Sequence, residues 1–498
     1  MLSSVLLPCL TFCGAFTLTF ALSKLAQLRR PTRAKLPYPP GPTPLPFLGN
    51  VLDIDRAQPW VSYTEMQKKY GDIIYTKLLG SDYIIVNTYD AAKALLEQRS
   101  SVYSDRPVFP ANKLFGIDFN TVLQPYGDTW RLHRKLFHHS LRGETAIRYQ
   151  NLYLEKAHGL LANLLDAPEG FEGHFRGFVA SIVMAQTYGY ETQPRNDPLV
   201  GAVDMLIRLL AVALSPERMA IFKAFPALEK LPSWFPGAGF KRDAVLARGL
   251  AKQVNDVPFE FVKRSLAENT ARPSMVSDLL SSFDESEDNN AQERAMKATA
   301  ATVFIAGSET SSSTLHVFAL AMLRYPEVQK RAQAEIDSVV GRDRLPTFED
   351  RETLPYVECI WRELLRWHPV VPLGIPHATS ADDVYGGYYI PKGATVMMNV
   401  WAMTRDDRRY ANPEIFDPSR HLAPTPDGSD KLALKPESVT NDPIFGMGRR
   451  ICPGRYMSDA LMWAAIVSIL AAFRIEKATD RSGREIEVEE KFTPGLAM

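Results

Sequence analysis

The hydrophobic pattern opens with an uncharged, mostly apolar run from Val5 to Leu22, followed by Lys24, Arg29, Arg30, Arg33 and Lys35. The run is just long enough to span a bilayer. Positive charge on its C-terminal side places that side in the cytoplasm. A cleaved signal peptide would carry charge ahead of the apolar run, and none stands there. The pattern predicts a membrane anchor over residues 1–24 and a basic, proline-rich hinge over 25–50. Within the hinge, Pro37-Tyr38-Pro39-Pro40-Gly41-Pro42-Thr43-Pro44 favours a stiff extended path, either a plain linker or a spacer that sets the body against the membrane.

From residue 51 the pattern changes. Short β-like runs around Gly80-Ser81 between Ile73 and Val86 predict a hairpin. Helical periodicity then dominates, with one helix beginning near Trp130-Arg131-Leu132-His133-Arg134. Residues 281–290 are acidic and polar, a solvated loop. A long helix is predicted over Arg294 to Leu323, ended by Tyr325-Pro326. Leu461, Met462, Trp463, Ala464, Ile466, Val467, Ile469, Leu470 and Phe473 predict a buried helix whose N-terminus sits at Cys452. The stretch from Ile221 to Phe240 holds Phe222, Phe225, Leu228, Leu231, Trp234 and Phe235. It reads either as a core-packing loop or as a second contact with a membrane surface.

The chain has 498 residues, 46% of them hydrophobic, and a formal net charge of zero. The apolar fraction is ample for a core. The charge balance gives no reason to expect a nucleic-acid partner. Four cysteines offer no disulfide framework: Cys9 and Cys13 lie in the apolar run, Cys359 in a helical pattern, and Cys452 has no evident mate. No Asn-x-Ser/Thr sequon occurs, which agrees with a body kept out of the lumen.

Candidate chemistry centres on Phe445-Gly446-Met447-Gly448-Arg449-Arg450-Ile451-Cys452-Pro453-Gly454. Its glycines let the backbone turn tightly and approach a flat partner. A cysteine at a helix N-terminus beside Arg449, Arg450 and Arg455 is expected to have a depressed pKa. A lone thiolate on such a loop suits axial ligation of haem iron; a buried structural cysteine is the bland alternative. Phe445, Gly448, Arg450, Cys452 and Gly454 make the spacing Phe-x-x-Gly-x-Arg-x-Cys-x-Gly, and in this the chain resembles the cytochrome P450 family. The resemblance runs from about Pro37 to the C-terminus and is nearest to fungal microsomal members.

The resemblance implies a mainly α fold with a small β-rich lobe, and residues 51–498 as one haem-thiolate catalytic domain behind a single N-terminal transmembrane helix. It implies haem b held by Cys452, with Trp130, Arg134, His377 and Arg450 on its propionates, although by themselves Trp130 and Arg134 only share a helix face. Ala306-Gly307-Ser308-Glu309-Thr310 matches the family's oxygen-activation motif. Gly307 would leave room for dioxygen, with close helix packing as the plain alternative, while Glu309 and Thr310 would relay protons. Glu363 and Arg366, with Arg420 of Phe416-Asp417-Pro418-Ser419-Arg420, match the family's structural ionic triad, but Ser419 and His421 depart from its usual wording.

Further implications are an endoplasmic-reticulum location, with the catalytic domain facing the cytoplasm, and electrons from NADPH through a separate NADPH-cytochrome P450 reductase. The chain itself has no Gly-x-Gly-x-x-Gly site, and Arg131, Lys135 and Arg455 would face an acidic partner. The substrate would be an apolar small molecule. Fungal secondary metabolism is the expected setting and terpenoids one candidate class. Candidate wall positions are Phe109, Phe115, Val303, Phe304, Val371, Leu373 and Ile375. Two alternatives are a dioxygen-independent isomerase or dehydratase on the same fold, and a non-catalytic haem sensor. The intact Glu309-Thr310 pair weighs against both.

Overall fold

A computed structural model describes residues 36–492, apart from 195, 283–288, 425–431 and 437–438. The expected anchor over 1–24 lies outside the described residues. Among the described residues, eleven helices of nine or more residues build the body: α1 (Pro59–Tyr70), α2 (Asp128–Ser140), α3 (Gln150–Asp166), α4 (Phe171–Tyr188), α5 (Pro198–Ala213), α6 (Pro216–Ala224), α7 (Phe240–Ala267), α8 (Asn289–Arg324), α9 (Pro326–Val339), α10 (Pro355–Trp367) and α11 (Arg455–Ala472). Eight short strands accompany them among the described residues: β1 (Ile73–Leu78), β2 (Ser81–Val86), β3 (His377–Ala378), β4 (Asp383–Tyr385), β5 (Tyr388–Ile390), β6 (Thr395–Met398), β7 (Leu422–Pro424) and β8 (Leu432–Leu434). The mostly helical architecture with small sheets is the one expected.

The predicted hairpin is present. β1 pairs antiparallel with β2 in the register Ile73 to Val86, and Leu79 and Gly80 turn between them with φ of 47° and 83°. β6 joins β2 in parallel and β3 closes the sheet, giving the order β1-β2-β6-β3. One face buries Ile84, Val86, Val396 and Met398 against Leu95, Leu96 and Met447. This lobe core therefore reaches the cysteine loop, to which Met447 belongs.

The body is organised around α8. It starts at Asn289 rather than near Arg294; in the added turn Glu293 pairs with Lys263 of α7 at 3.1 Å and with Lys297 of its own helix at 3.6 Å. α4 packs along it, and Phe304, Leu315 and Phe318 are fully buried there. α11 begins at Arg455, three positions after Cys452, because Pro453 and Gly454 carry the turn. The thiol thus precedes the helix rather than capping it. α11 is long and apolar enough to cross a membrane, but 67% of it is buried inside the protein, as befits a core helix. Arg351 fastens α11 to α10 through Glu358 (2.9 Å) and Asp459 (2.8 Å), and the indole N–H of Trp361 donates to Asp459.

Candidate active site

The cysteine loop is held from both sides. The Cys452 N–H donates to the Phe445 carbonyl at 2.7 Å, and the Ile451 carbonyl accepts from Arg134 of α2 at 2.8 Å. Gly448 has φ of 61°, and a Cβ there would stand 2.1 Å from the Leu96 carbonyl oxygen. Only glycine fits so close an approach.

The expected depression of the Cys452 pKa is corrected by the structure. Burial pushes the thiol up, against the opposing pull of the Gly454 and Arg455 N–H groups and the charges of Arg134 and Arg455. Two of the three neighbouring arginines are turned elsewhere. Arg449 reaches the Tyr126 hydroxyl at 2.6 Å, and Arg450 reaches the Ser104 and Gln124 carbonyls at 2.8 and 2.9 Å. Arg455 stays by the loop, donating to the Cys452 carbonyl at 2.9 Å, so it is not offered outward to an acidic partner as expected. A thiol in such surroundings ionises on meeting a metal cation that takes it as ligand. Among the described residues no three His, Cys, Asp or Glu side chains converge on one point. A metal here would arrive in a prosthetic group that brings its other ligands.

Beside the loop lies a concentration of buried cations. Arg450 stacks 4.4 Å over Trp130, and its Nη1 is buried without a partner. Arg106, in the loop after Tyr103, is 6% exposed and spends its donors on the Val122, Ile375 and Pro376 carbonyls. His377 is buried, with Nδ1 2.7 Å from the Tyr103 carbonyl. Burial lowers the pKa of Arg106, Arg134 and His377, and brings Arg450 down to about 10; mutual repulsion adds to the effect in Arg106, Arg450 and His377. Asp105 partly offsets Arg106 and Arg450. Such a cluster calls for an anion with two or more acceptor groups. Arg106 was missed in the sequence because no spacing rule marks it; its place is set by the fold bringing Val122 and Ile375 together.

α8 carries the Ala306–Thr310 motif and opens at one point. Ala306 is exposed although Val303, Phe304, Ile305 and Ser308 around it are buried, so the helix faces open space at that point. Thr310, one turn on, donates to the Ala306 carbonyl at 3.0 Å and keeps its oxygen lone pairs available. Gly307 serves another purpose than leaving space for a ligand: a Cβ there would meet Val183 of α4 at 3.1 Å, so the glycine permits close helix packing. Glu309 faces outward, where burial and Asp204 raise its pKa against the pull of Arg176 and Arg208.

Of the wall positions, Phe109, Phe115, Val303, Phe304 and Leu373 are buried. Phe109 and Leu373 also line an apolar cleft with Trp60, Tyr83, Met219 and Met397. That cleft runs between α6 and the sheet and does not border Cys452.

Glu363, near the C-terminal end of α10, gathers a buried ionic network. Glu363 is fully buried and receives Arg366 at 2.9 and 2.8 Å, Arg420 at 2.9 Å and the Asp417 N–H at 2.9 Å. His421 adds a fourth side chain, Nε2 to Oε2 at 2.9 Å. The departure in wording at 421 thus enlarges the triad by one member. Arg366 also ties the Thr404, Pro413 and Ile415 carbonyls, pinning the segment that leads to the loop.

A half-buried cysteine on a glycine loop, a cationic cradle and an open helix face define a haem-thiolate site, and these residues fit that group. The match to a family model described as Cytochrome P450 covers residues 39–494, and the chain belongs to that family. It is 39% identical to Cytochrome P450 monooxygenase COX2 of Coprinopsis cinerea over 91% of this chain and 85% of that one. It is 39% identical to Cytochrome P450 monooxygenase claR of Ampulloclitocybe clavipes over 92% and 83%. It is 36% identical to Tryptamine 4-monooxygenase of Psilocybe cyanescens over 95% and 92%. The protein is a cytochrome P450 monooxygenase, an oxidoreductase that incorporates oxygen. As in the family, it works on a small molecule with electrons from a redox partner.

Proposed function

We propose that this monooxygenase inserts one atom of dioxygen into an apolar small molecule of fungal secondary metabolism, with terpenoids one candidate class. Its electrons come from NADPH through a separate NADPH-cytochrome P450 reductase. The observation that carries the reading is the exposure of Ala306 on α8 where Val303, Phe304, Ile305 and Ser308 around it are buried, in a chain that also carries the thiol loop. Co-expression with a reductase, feeding of candidate precursors and mass spectrometry of the products test it. Products lacking added oxygen would overturn it.

Cys452 would take the haem iron, while Arg106, Arg134, His377, Arg450 and the Trp130 platform would hold the propionates. The haem would supply dioxygen activation. The remaining work belongs to the chain. Phe304 and its apolar neighbours exclude water, and Thr310 presents a hydroxyl where protons are needed. Glu309 brings those protons through the helix wall from outside.

Thr310→Ala is therefore expected to leave substrate binding and reduction intact while disordering proton delivery. NADPH oxidation continues, product per NADPH falls by about 10²-fold, the lower end of the range for a positioned proton donor, and hydrogen peroxide rises to match. Product, NADPH and peroxide assayed together check this, and an unchanged ratio would move the proton path elsewhere.

The body sits on the cytoplasmic face of the endoplasmic reticulum, held by the anchor over 1–24 and by a second contact. In the 221–240 segment Phe222 is buried, whereas Trp234 is 80% and Phe235 40% exposed. Such a pair suits the headgroup level of a bilayer. Deleting residues 1–30 should release much of the protein with haem still bound. The fraction left on membranes in flotation assays should drop further with Trp234→Ala and Phe235→Ala.

A further inference from the structure

We propose that Thr121 is a positioning residue for the haem pocket: it ties α8 and α2 to the loop whose carbonyls steer Arg106 and Arg450. The proposal rests on the assignment of those arginines to the haem propionates above, and it adds a residue that acts through them.

The loop of residues 120–126 leads into α2. Val122 offers its carbonyl to Arg106 Nε at 2.9 Å, and Gln124 offers its carbonyl to Arg450 Nη2 at 2.9 Å. The Tyr126 N–H donates to Oδ1 of Asp105 at 2.8 Å. Alternate residues of the loop thus each hold one charged member of the cluster. Asn120 shapes the loop from within, its Oδ1 accepting from the Val122 N–H at 3.0 Å.

Thr121 fixes this loop to two helices. Its N–H donates to Oγ1 of Thr302 on α8 at 3.1 Å, and its hydroxyl lies 2.8 Å from Nδ1 of His133 on α2. All three side chains are buried. Burial lowers the His133 pKa to about 4, so the ring stays neutral, and either tautomer makes one hydrogen bond with the hydroxyl. The Thr302 hydroxyl donates to the Ala298 carbonyl at 2.7 Å, which leaves its lone pairs for the Thr121 N–H. With no water at hand to replace these bonds, a displaced loop leaves buried polar groups unpaired, and that cost holds it in one seat.

The place of Thr302 gives the bracket its reach. Thr302, Ala306 and Thr310 are spaced by four and share a face of α8. That face is buried at Thr302, where Thr121 meets it, and opens at Ala306. Two hydrogen bonds therefore link the face carrying Ala306 to the cation cluster: Thr121 to Thr302, and Arg106 to Val122. A shift of Thr121 moves the carbonyls that aim the arginines and loosens their register with α8.

The test uses the full-length, haem-loaded protein and two readouts. Haem transfer to apomyoglobin gives the rate of haem loss, and a spectroelectrochemical titration gives the reduction potential. Thr302→Val removes the acceptor of the Thr121 N–H. It should speed haem loss several-fold and lower the potential, because cations held less firmly at the propionates favour the reduced haem less. Thr121→Val, the milder change, keeps the N–H and the shape but loses the hydroxyl; it should move both readouts the same way by less. Thr121→Ser keeps the hydroxyl and should match the parent protein in both. An unmoved potential in both valine variants, with Arg450→Gln still lowering it, would overturn the proposal alone and leave Thr121 a role in stability only. No change of loss rate or potential in Arg450→Gln would overturn the assignment of the arginines beneath it.

Discussion

Glu363→Ala is expected to yield little folded, haem-loaded protein. The substitution removes a fully buried carboxylate, so that Arg366 (1% exposed), Arg420 and His421 lose their one shared counter-charge while the arginines keep only carbonyl acceptors. Breaking a buried pair by removing one partner costs about 3–5 kcal/mol, a large share of the stability of most proteins. His421→Phe should cost less, about 1–3 kcal/mol, because both arginines still neutralise Glu363. The network also predicts a pH dependence. Burial works to raise the Glu363 pKa, but the hydrogen bonds and charges of His421 and Arg366 prevail and hold it at about 2, below the ordinary 4.5. A depressed carboxylate stabilises the fold fully above its unfolded value, and the benefit is lost as pH falls through the folded one. The stability at stake is about 3 kcal/mol, lost between roughly pH 4.5 and pH 2. Melting temperature against pH, with haem absorbance as a second probe, checks both claims. Normal haem content and an unchanged acid limb in Glu363→Ala would place the network outside the stability of the fold.

Cys452→Ser is expected to abolish monooxygenation and the red-shifted Soret band of the reduced carbon monoxide complex. Serine keeps the size of the side chain and the hydrogen bond from the backbone N–H, so the loop should still close on the Phe445 carbonyl. What it removes is the soft, polarizable anion that a haem-thiolate site depends on. Haem retained in the variant with the ordinary Soret position would assign the ligand to Cys452. A surviving red-shifted band would exclude it.

Sequence reading reached the cysteine loop, the hairpin, α8 and α10 because each is marked locally, by turn glycines, by periodicity or by fixed spacing. What it missed is set by distant chain segments. Arg106 joins the cation cluster only because the Val122 and Ile375 carbonyls converge on it. His421, a departure from the family's wording, gains its role only because the fold brings its Nε2 to Glu363. The thiol pKa was misjudged for the same reason. Arg449 and Arg450 are its neighbours along the chain, but their side chains leave for Tyr126, Ser104 and Gln124. Gly307 was assigned to the ligand side of a helix whose glycine faces Val183.

The contact of Gly448 with the Leu96 carbonyl bears on how far this protein can be recombined. The loop that carries Cys452 is moulded on the backbone of Lys93–Gln98, a π-helical stretch more than 300 positions earlier. Met447 completes the fit by entering the lobe core beside Leu95 and Leu96. A library that exchanges the C-terminal third among relatives must therefore carry the 89–98 segment with it as one block. Crossovers that separate the two should be lost at the level of haem incorporation, before any difference in substrate choice can be scored.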